Sequence, residues 1–299
     1  MSRSIGFWKI VWKPVIGNLQ ARTKMRDGGM DHSNPLWNYL RRNRVFGPPL
    51  RALYGLWLNC TAAKHGVAWS YNGEPVRIHP CVRHLVPPIS EPELFEYLRR
   101  NIRPGETVLD VGSFLGIYAI FAARWVGPNG KVVAFEPTPQ CRSLIHVHLR
   151  YNDMQSRVHV IEAAAGKEEG VVQFTLLKEE PYRNMVVSQS IRSHKGSLIT
   201  VPVTTLDKVC KELNLQPDWI RMDVQGYEFE VLKGARKILA AGKGRLRILA
   251  EMHPQLWSSL GITLDGVQEI LADLGLACEA LLPGSSPFLP DAHAILRPL

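Results

Sequence analysis

From residue 106 onward, short apolar segments alternate with longer amphipathic ones, and this alternation constrains the fold more than any other feature. Segments of strand length occupy residues 106–112, 131–136, 158–164, 218–224 and 245–253. Helical periodicity lies between and after them, at residues 116–126, 138–152, 206–213 and 228–241. Strands that alternate with helices form a parallel sheet with helices on both faces, and ligands bind at the carboxyl ends of the strands. The sequence therefore predicts an α/β, Rossmann-like fold.

The segments that flank this core also have recognisable patterns. Residues 67–71 and 76–79, joined through Asn72 and Gly73, predict a β-hairpin. Ser90, followed three residues later by Glu93, predicts a capping box that opens a helix running to about Arg100. Residues 171–203 predict a second hairpin inserted into the core, and a final helix with two strands completes the chain.

Positive charge is concentrated at the N-terminus. The net charge is +9, and residues 1–51 hold ten Lys and Arg against two acidic residues, so the remainder is nearly neutral. Attraction to a polyanion or to a membrane would therefore be a property of this arm alone. We expect a basic, aromatic N-terminal extension at residues 1–65 and one α/β domain at residues 66–299. Residues 66–104 of that domain form its N-terminal hairpin and helix, and the ligand-binding core follows at residues 105–299.

The start of the extension has its own pattern. Trp8 and Trp12 recur at helical spacing, while Lys9 and Lys13 lie elsewhere around the helix axis. Such a helix either lies at a membrane surface through residues 1–20 or docks on the core or on a second subunit, so peripheral membrane contact and a homo-oligomer both remain open. No stretch of 18 uncharged apolar residues occurs, and we expect no membrane-spanning helix.

Five cysteines are spread along the chain without a CxxC pair. This pattern argues against a disulfide framework and against a cysteine-rich zinc site. We therefore expect a cytoplasmic protein, with membrane association through the arm left open.

Candidate ligand-binding residues lie where the first two strands of the core end. Asp110, Gly112 and Gly116 form a D-x-G-x-x-x-G turn, in which glycine lets the backbone approach a ligand. The next strand ends in Glu136, 24 residues after Gly112, at the spacing of an acid that binds ribose hydroxyls. The turn lacks the G-x-G-x-x-G of a dinucleotide site, and the acidic Asp110 suits an ammonium or sulfonium ligand. S-adenosylmethionine meets these demands.

Four segments resemble the FkbM family of S-adenosylmethionine-dependent methyltransferases. They read LDVGSFLGIYAI at 109–120, FEPTP at 135–139, VTTLDKV at 203–209 with IRMDVQGYEFEVLKGA at 220–235, and ILAEMHP at 248–254. The resemblance covers roughly residues 90–255 and implies a class I methyltransferase fold, with a seven-stranded, mostly parallel sheet. Phe114 stands where the family usually has Asn, and Gln225 stands where the segment often reads DVEG.

The resemblance implies a set of cofactor contacts. Most of them surround the glycine turn and the ends of the neighbouring strands. The implied cofactor-binding residues are Asp110, Gly112, Ser113, Gly116, Tyr118, Glu136, Ala163, Ala164 and Asp223. Among them, Glu136 would hold the ribose, Ala163 and Ala164 the adenine, and Asp223 would face the sulfonium and the incoming acceptor.

The candidate catalytic residues follow the fourth and fifth strands of the core, and they are Asp223, Glu251 and His253. A hydroxyl nucleophile gains from a base within hydrogen-bond reach, and His253 is the natural base near neutral pH. Glu251 would orient His253 or bind a substrate hydroxyl. The alternative is that His253 only caps the following helix. A divalent cation on Asp223 and Glu251 is a further option, but no third oxygen ligand is evident, so we favour no metal.

These observations predict a methyltransferase, most simply an O-methyltransferase that acts on a sugar, glycolipid or natural-product hydroxyl and releases S-adenosylhomocysteine. Its partner would be a small-molecule or glycan acceptor rather than a nucleic acid. Two alternatives remain open. One is a nucleic-acid methyltransferase steered by the basic arm, and the other is a non-catalytic cofactor-binding or scaffold module.

Overall fold

The computed structural model describes residues 61–176, 185–186 and 197–299, together with Pro48, Pro49, Leu53 and Leu56. The predicted helix at residues 1–20 and its membrane or subunit contacts lie outside the described residues. Within the described part of the chain, no helix combines the length and the apolar character needed to cross a membrane.

The strands of the described residues are numbered in chain order. They are β1 (Val67–Tyr71), β2 (Glu74–Ile78), β3 (Thr107–Val111), β4 (Lys131–Phe135), β5 (Val158–Ile161), β6 (Ala164–Ala165), β7 (Gly170–Leu176), β8 (Met185–Val186), β9 (Ser197–Thr204), β10 (Trp219–Met222), β11 (Arg247–Met252), β12 (Leu276–Ala280) and β13 (Ala292–Pro298).

The helices are numbered in the same way. They are α1 (Pro92–Asn101), α2 (Ile117–Trp125), α3 (Pro139–Tyr151), α4 (Leu206–Glu212), α5 (Glu228–Lys233), α6 (Arg236–Ala241), α7 (Pro254–Trp257) and α8 (Leu264–Asp273). Short 3₁₀ turns are found at Pro80–Leu85 and Ser258–Leu260.

Seven strands form the central sheet in the order β12-β13-β11-β10-β3-β4-β5. Neighbouring strands from β11 to β5 are parallel, whereas β13 is antiparallel to both β11 and β12. Alternate residues of each strand enter different cores, as the period of a strand requires. Val108 packs with α1, α2 and α3, while its neighbour Leu109 packs with α4, α5, α6 and α8. The predicted α/β fold, with helices on both faces of the sheet, is confirmed.

The predicted insertion folds as a separate small sheet, with its described strands in the order β6-β9-β7-β8. β7 and β9 form the expected antiparallel hairpin, with Gly170 opposite Val203. The strand predicted at residues 158–164 is interrupted, because β5 ends at Ile161 and β6 pairs with β9 instead. Residues 162–165 therefore carry the chain from the central sheet into the small one.

The predicted N-terminal hairpin forms, and it packs on the core. β1 and β2 are antiparallel around Asn72 and Gly73, both of which have positive φ. Tyr71 from this hairpin, Phe95 from α1 and Phe121 from α2 form an aromatic cluster with ring centroids 4.9 to 6.0 Å apart. Residues 67–101 thus cover one face of α2.

The capping box predicted at Ser90 and Glu93 does not form, and the N-cap lies one residue later than predicted. α1 begins at Pro92, and the residue that precedes it, Glu91, has left-handed backbone dihedrals (φ 46°) and makes no side-chain cap bond. Proline is favoured as the first residue of a helix, which fixes the cap position at Glu91. Ser90 instead donates its backbone N–H to Asn72.

The helix predicted at residues 228–241 is two helices, α5 and α6, that meet at Gly234. A Cβ at Gly234 would lie 2.0 Å from the carbonyl oxygen of Gly166, so the chain passes too closely there for any other residue. Asp207 accepts hydrogen bonds from the backbone N–H groups of Lys237 and Ile238 at the start of α6. This external cap stabilises a new helix start where a continuous helix was expected.

Candidate active site

The glycine turn after β3 is pressed against the end of β10. Gly112 has φ 81°, and a Cβ at this position would lie 2.0 Å from the carbonyl oxygen of Asp223. The N–H groups of Gly112 and Ser113 both donate to the carbonyl oxygen of Phe135, and Ser113 Oγ donates to the carbonyl oxygen of Asp110. Only glycine allows the turn to approach the end of β10 this closely, so Gly112 fixes the position of the turn.

Glu136 lies directly beyond β4 and is almost fully buried. One carboxylate oxygen accepts from the backbone N–H of Phe114 at 2.9 Å, and the other accepts from the N–H and hydroxyl of Thr138 at 2.8 and 2.6 Å. Burial raises the pKa of Glu136 to about 7, although these hydrogen bonds oppose the rise. Phe114 in the glycine turn and Thr138 after β4 therefore hold the carboxylate in one orientation.

Beneath the turn, a buried arginine joins two of the predicted aspartates. Arg221 on β10 lies opposite Asp110 on β3, and its guanidinium is 3.4 Å from Asp110 and 3.5 Å from Asp223. Burial raises the pKa of Asp110, and the Arg221 charge opposes this. Asp110 Oδ2 and Arg221 Nε are both buried and, among the described residues, have no hydrogen-bond partner. Buried polar atoms without a partner are uncommon and point to a missing ligand group.

Tyr118 and Gly116 were predicted beside the cofactor and lie on the inner side of the turn. The guanidinium of Arg221 stacks 4.4 Å from the ring centroid of Tyr118, and the Tyr118 hydroxyl donates to Glu91 at 3.0 Å. Gly116 (φ 75°) precedes α2 and packs against Ile145. Both residues support the turn and Arg221, and neither belongs to the cleft lining described next.

An open cleft with about 690 Å³ of atom-free space runs along the ends of β3, β4 and β10. The cleft is lined by Val111, Gly112, Phe114, Phe135, Glu136, Pro137, Cys141, Ala163, Ala164, Ala165, Phe174, Asp223, Val224, Gln225 and Tyr227. Five of the predicted cofactor-binding residues are thus brought to one surface: Gly112, Glu136, Ala163, Ala164 and Asp223.

Gln225, which lines the cleft, bridges Asp223 and His253. The Gln225 amide nitrogen lies 3.0 Å from Asp223 Oδ1 and 2.9 Å from His253 Nε2. The opposite amide orientation would place an oxygen against the Asp223 carboxylate, so the nitrogen is the atom that fits here. His253 Nε2 and Asp223 Oδ1 are themselves 3.8 Å apart.

The residue that orients His253 is Glu228, which the sequence did not indicate. His253 Nδ1 lies 2.7 Å from Glu228 Oε1, and the same carboxylate accepts from the Gly226 N–H at 2.9 Å and from Trp257 Nε1 at 3.0 Å. Glu251, predicted to orient His253, has its nearest oxygen 3.7 Å from Nε2, so that prediction is wrong. His253 is the N-cap residue of α7, as the alternative predicted, but its side chain makes no cap bond to the helix.

This arrangement determines the state of the imidazole. Because Glu228 offers only acceptors, Nδ1 carries the hydrogen, and Nε2 accepts from the Gln225 amide. Burial lowers the pKa of His253, but Glu228, Asp223 and Asp291 together outweigh it and leave the pKa raised. A histidine whose Nδ1–H is bound to a carboxylate and whose Nε2 is unprotonated has the geometry of a general base.

Glu251 belongs instead to a second group with Glu91 and His293. His293 Nε2 lies 2.9 Å from Glu91, and ligand atoms of these three residues all lie within 4.8 Å of one another. Burial and the charges of Asp223 and Glu91 raise the pKa of Glu251, so its carboxyl is protonated at neutral pH. For Glu91, the contacts with His293, Arg221 and Tyr118 outweigh burial and lower the pKa.

A third candidate metal-binding atom, unseen in the sequence, accompanies Asp223 and Glu251. Nε2 of His253 completes a group within 4.8 Å. In the described conformation, however, the Gln225 N–H groups point at Asp223 and His253. A cation bound to these atoms would require the amide to turn away.

Some of the unpredicted residues left a signal in the sequence. Arg221 and Asp223 are two apart around the end of a buried strand and therefore share a face, and a buried arginine requires a carboxylate partner. The sequence did not single out Glu228, because acidic residues are common in the first turn of a helix.

The sheet order and the cleft at the ends of β3, β4 and β10 define the class I methyltransferase fold. Within that class, a family model described as the methyltransferase FkbM domain matches residues 110–275, which is more than half of the chain. The chain belongs to the FkbM methyltransferase family.

Individual relatives are distant. Methyltransferase sdnD of Sordaria araneosa is 25% identical over 161 residues, which cover 45% of this chain and 62% of that protein. An arsenite methyltransferase of Halobacterium salinarum is 42% identical over 53 residues, or 18% of this chain and 14% of that protein. The crystal structure of a methyltransferase FkbM from Methylobacillus flagellatus has 18% identity and a TM-score of 0.43, and the match covers 67% of this chain and 50% of that one. The chain therefore matches less than two thirds of the length of each of these proteins.

Proposed function

We propose that the protein is an S-adenosylmethionine-dependent methyltransferase that methylates a hydroxyl group of a sugar, glycolipid or natural product. The position of Asp223 carries this proposal. Asp223 lines the cleft beside the glycine turn, and its carboxylate lies 3.8 Å from the Nε2 atom of His253. Asp223 therefore belongs to the proposed nucleoside site and lies beside the candidate base.

The residues present fit the cofactor. Gly112 allows close backbone approach, Glu136 offers a carboxylate to ribose hydroxyls, and the small side chains of Ala163 and Ala164 leave room for a flat base. Asp110 Oδ2 is a buried acceptor without a donor among the described residues, and an ammonium group would supply one. These residues are proposed to bind the adenosyl and methionine ends of the ligand.

The protein's contribution to the transfer is alignment and proton removal. When bound, S-adenosylmethionine supplies a methyl group to the acceptor oxygen as the carbon–sulfur bond breaks with its electron pair on sulfur, giving S-adenosylhomocysteine. Holding the acceptor in line supplies much of the rate. His253 Nε2 takes the hydroxyl proton, and Glu228 stabilises the imidazolium that forms.

The remaining predicted catalytic residues have different roles in this proposal. Asp223 accepts a hydrogen bond from the acceptor beside the reacting hydroxyl. Glu251, protonated at neutral pH, donates a hydrogen bond to an acceptor oxygen. The proposal involves no metal ion, and undiminished methyl transfer after dialysis against EDTA would support that part, whereas restoration of lost activity by Mg²⁺ would contradict it.

Two measurements test the proposed function. Calorimetry with S-adenosylmethionine and S-adenosylhomocysteine should give saturable binding of both. Release of S-adenosylhomocysteine should then appear with some member of a panel of sugars, glycolipids and hydroxylated natural products. Binding without turnover across the panel would favour a scaffold, and turnover with RNA or DNA alone would favour the nucleic-acid alternative.

A further inference from the structure

The lone pair on His253 Nε2 already accepts a hydrogen bond in this structure. A neutral imidazole has one lone pair on its unprotonated nitrogen, and the Gln225 amide donates to it at 2.9 Å. The ring's other nitrogen is bound to Glu228. His253 therefore has no position from which to accept a proton while Gln225 stays in place.

The backbone of Gln225 holds the amide over the base. Gln225 has φ 50° and Gly226 has φ 95°, so two successive residues adopt the left-handed conformation. This conformation is uncommon for a glutamine and turns its side chain back toward β10 and β11. A Cβ at Gly226 would lie 2.7 Å from the Cβ of Leu256, so the turn depends on glycine there.

We propose that the position of the Gln225 amide nitrogen is the binding subsite of the acceptor's nucleophilic oxygen, and that Gln225 is a latch which the acceptor displaces. This inference rests on the proposed function. The incoming hydroxyl donates to His253 Nε2 in place of one amide N–H. Asp223 Oδ1 loses the other N–H at the same moment and needs a new donor.

The loss of two donors narrows the class of acceptor. One hydroxyl donates one hydrogen bond, whereas displacement of the amide removes two donors, one from His253 Nε2 and one from Asp223 Oδ1, 3.8 Å apart. A hydroxyl on a neighbouring carbon supplies the second one. The acceptor is therefore a vicinal diol of the kind that sugars carry, with one hydroxyl on His253 and its neighbour on Asp223.

The hydrogen bond from the Gln225 amide to His253 Nε2 can be tested without any acceptor. Diethyl pyrocarbonate modifies imidazole nitrogens that have a free lone pair, and mass spectrometry of peptides gives the rate at each histidine. Gln225→Ala and Gln225→Asn should both speed modification of His253 by about tenfold, the equivalent of one hydrogen bond. Asparagine is tolerated in the left-handed region but is one methylene too short to span Asp223 and His253.

The matched control is Gln173→Ala, which removes an exposed glutamine on β7 that bonds to Thr200 rather than to His253. In this variant the modification rate should equal that of the wild type, and exposed His65 is the reference within each sample. Melting temperatures establish that each variant is folded. Equal rates at His253 in the wild type and in both Gln225 variants would overturn the proposal.

The displacement step is tested with the acceptor found in the panel. Gln225→Asn should lower the acceptor KM by about tenfold, because the internal competitor is gone. In the wild type, an acceptor that lacks the neighbouring hydroxyl should have a KM about tenfold higher. A raised KM in Gln225→Asn would show that Gln225 is not a latch. Equal KM values for the diol and its deoxy analogue would show that the acceptor need not be a vicinal diol. Failure to bind S-adenosylmethionine would refute the proposed function. The modification rates would still test the hydrogen bond between Gln225 and His253.

Discussion

The carboxylate of Glu228 lies 2.7 Å from Nδ1 of His253, on the side of the ring opposite Gln225 and Asp223. Glu228 has no exposed surface, and His253 is 2% exposed. The hydrogen-bonding state of the imidazole is therefore fixed by packing between α5 and α7 before any ligand enters the cleft.

Replacing Glu228 by Gln should disable the base without affecting the cofactor. Glutamine offers one oxygen to the three N–H donors that Glu228 now accepts, so the ring is no longer held in one tautomer. We expect kcat to fall about 100-fold while the cofactor Kd changes by less than twofold. Because Glu228 raises the pKa of His253, the acidic limb of the kcat/KM profile should also move to lower pH.

The control for this variant is Glu230→Gln, which alters an acid on the same helix that pairs with Lys233. It should leave both kcat and the pH profile as in the wild type. If Glu228→Gln lowers the melting temperature and kcat but leaves the midpoint of the acidic limb in place, the role of Glu228 is structural only.

His253→Ala should lower kcat about 100-fold, since proton removal by a positioned side chain contributes this order of magnitude. The cofactor Kd should stay within twofold, because His253 is not among the residues that line the cleft. His159→Ala, at an exposed position on β5, is the matched control. An unchanged kcat in His253→Ala would assign proton removal to another group.

The sequence predicted the sheet well because buried strands and amphipathic helices have different periods, and each period is a local property of the chain. It predicted Gly112, Glu136 and Asp223 as one site because parallel strands end at one edge. Glu228 was missed because its partnership with His253 spans 25 residues and depends on how α5 packs against α7. The break at Gly234 was missed for a similar reason, since the contact with Gly166 exists only in the folded chain.

Cofactor affinity should depend on pH through Glu136. Burial raises the pKa of Glu136 to about 7, so the carboxyl is largely protonated at pH 6 and ionised at pH 8. The ionised form accepts more hydrogen bonds from ribose hydroxyls, and the cofactor Kd should therefore rise about tenfold as the pH falls from 8 to 6. Calorimetry at several pH values measures this.

Two variants separate Glu136 from other titrating groups. Glu136→Ala should raise the Kd at least tenfold at pH 8, which corresponds to about 1.4 kcal/mol. Glu136→Gln should bind with a Kd that no longer depends on pH between 6 and 8. A Kd unaffected by either substitution would place the ribose elsewhere.

Among the described glycines with positive φ, Gly112 is the one whose replacement by Ala should damage the site most. Gly112 and Gly105 both have positive φ (81° and 90°), so alanine at either position has a left-handed backbone strain of about 1–2 kcal/mol. At Gly105 a Cβ meets nothing within 4 Å, whereas at Gly112 it lies 2.0 Å from the carbonyl oxygen of Asp223. Gly105→Ala is therefore a matched control in which only the strain is present.

To relieve this clash, the turn after β3 must move away from the end of β10. That movement would pull Asp223 away from the cleft and stretch the contact of Arg221 with the Gly112 carbonyl oxygen. We expect Gly112→Ala to lose at least about 2 kcal/mol more unfolding free energy than Gly105→Ala in urea titrations, and to bind S-adenosylmethionine at least about tenfold more weakly. Equal stability and equal affinity in the two variants would mean that the turn can move aside, and the close contact between Gly112 and Asp223 would then not be what shapes the cleft.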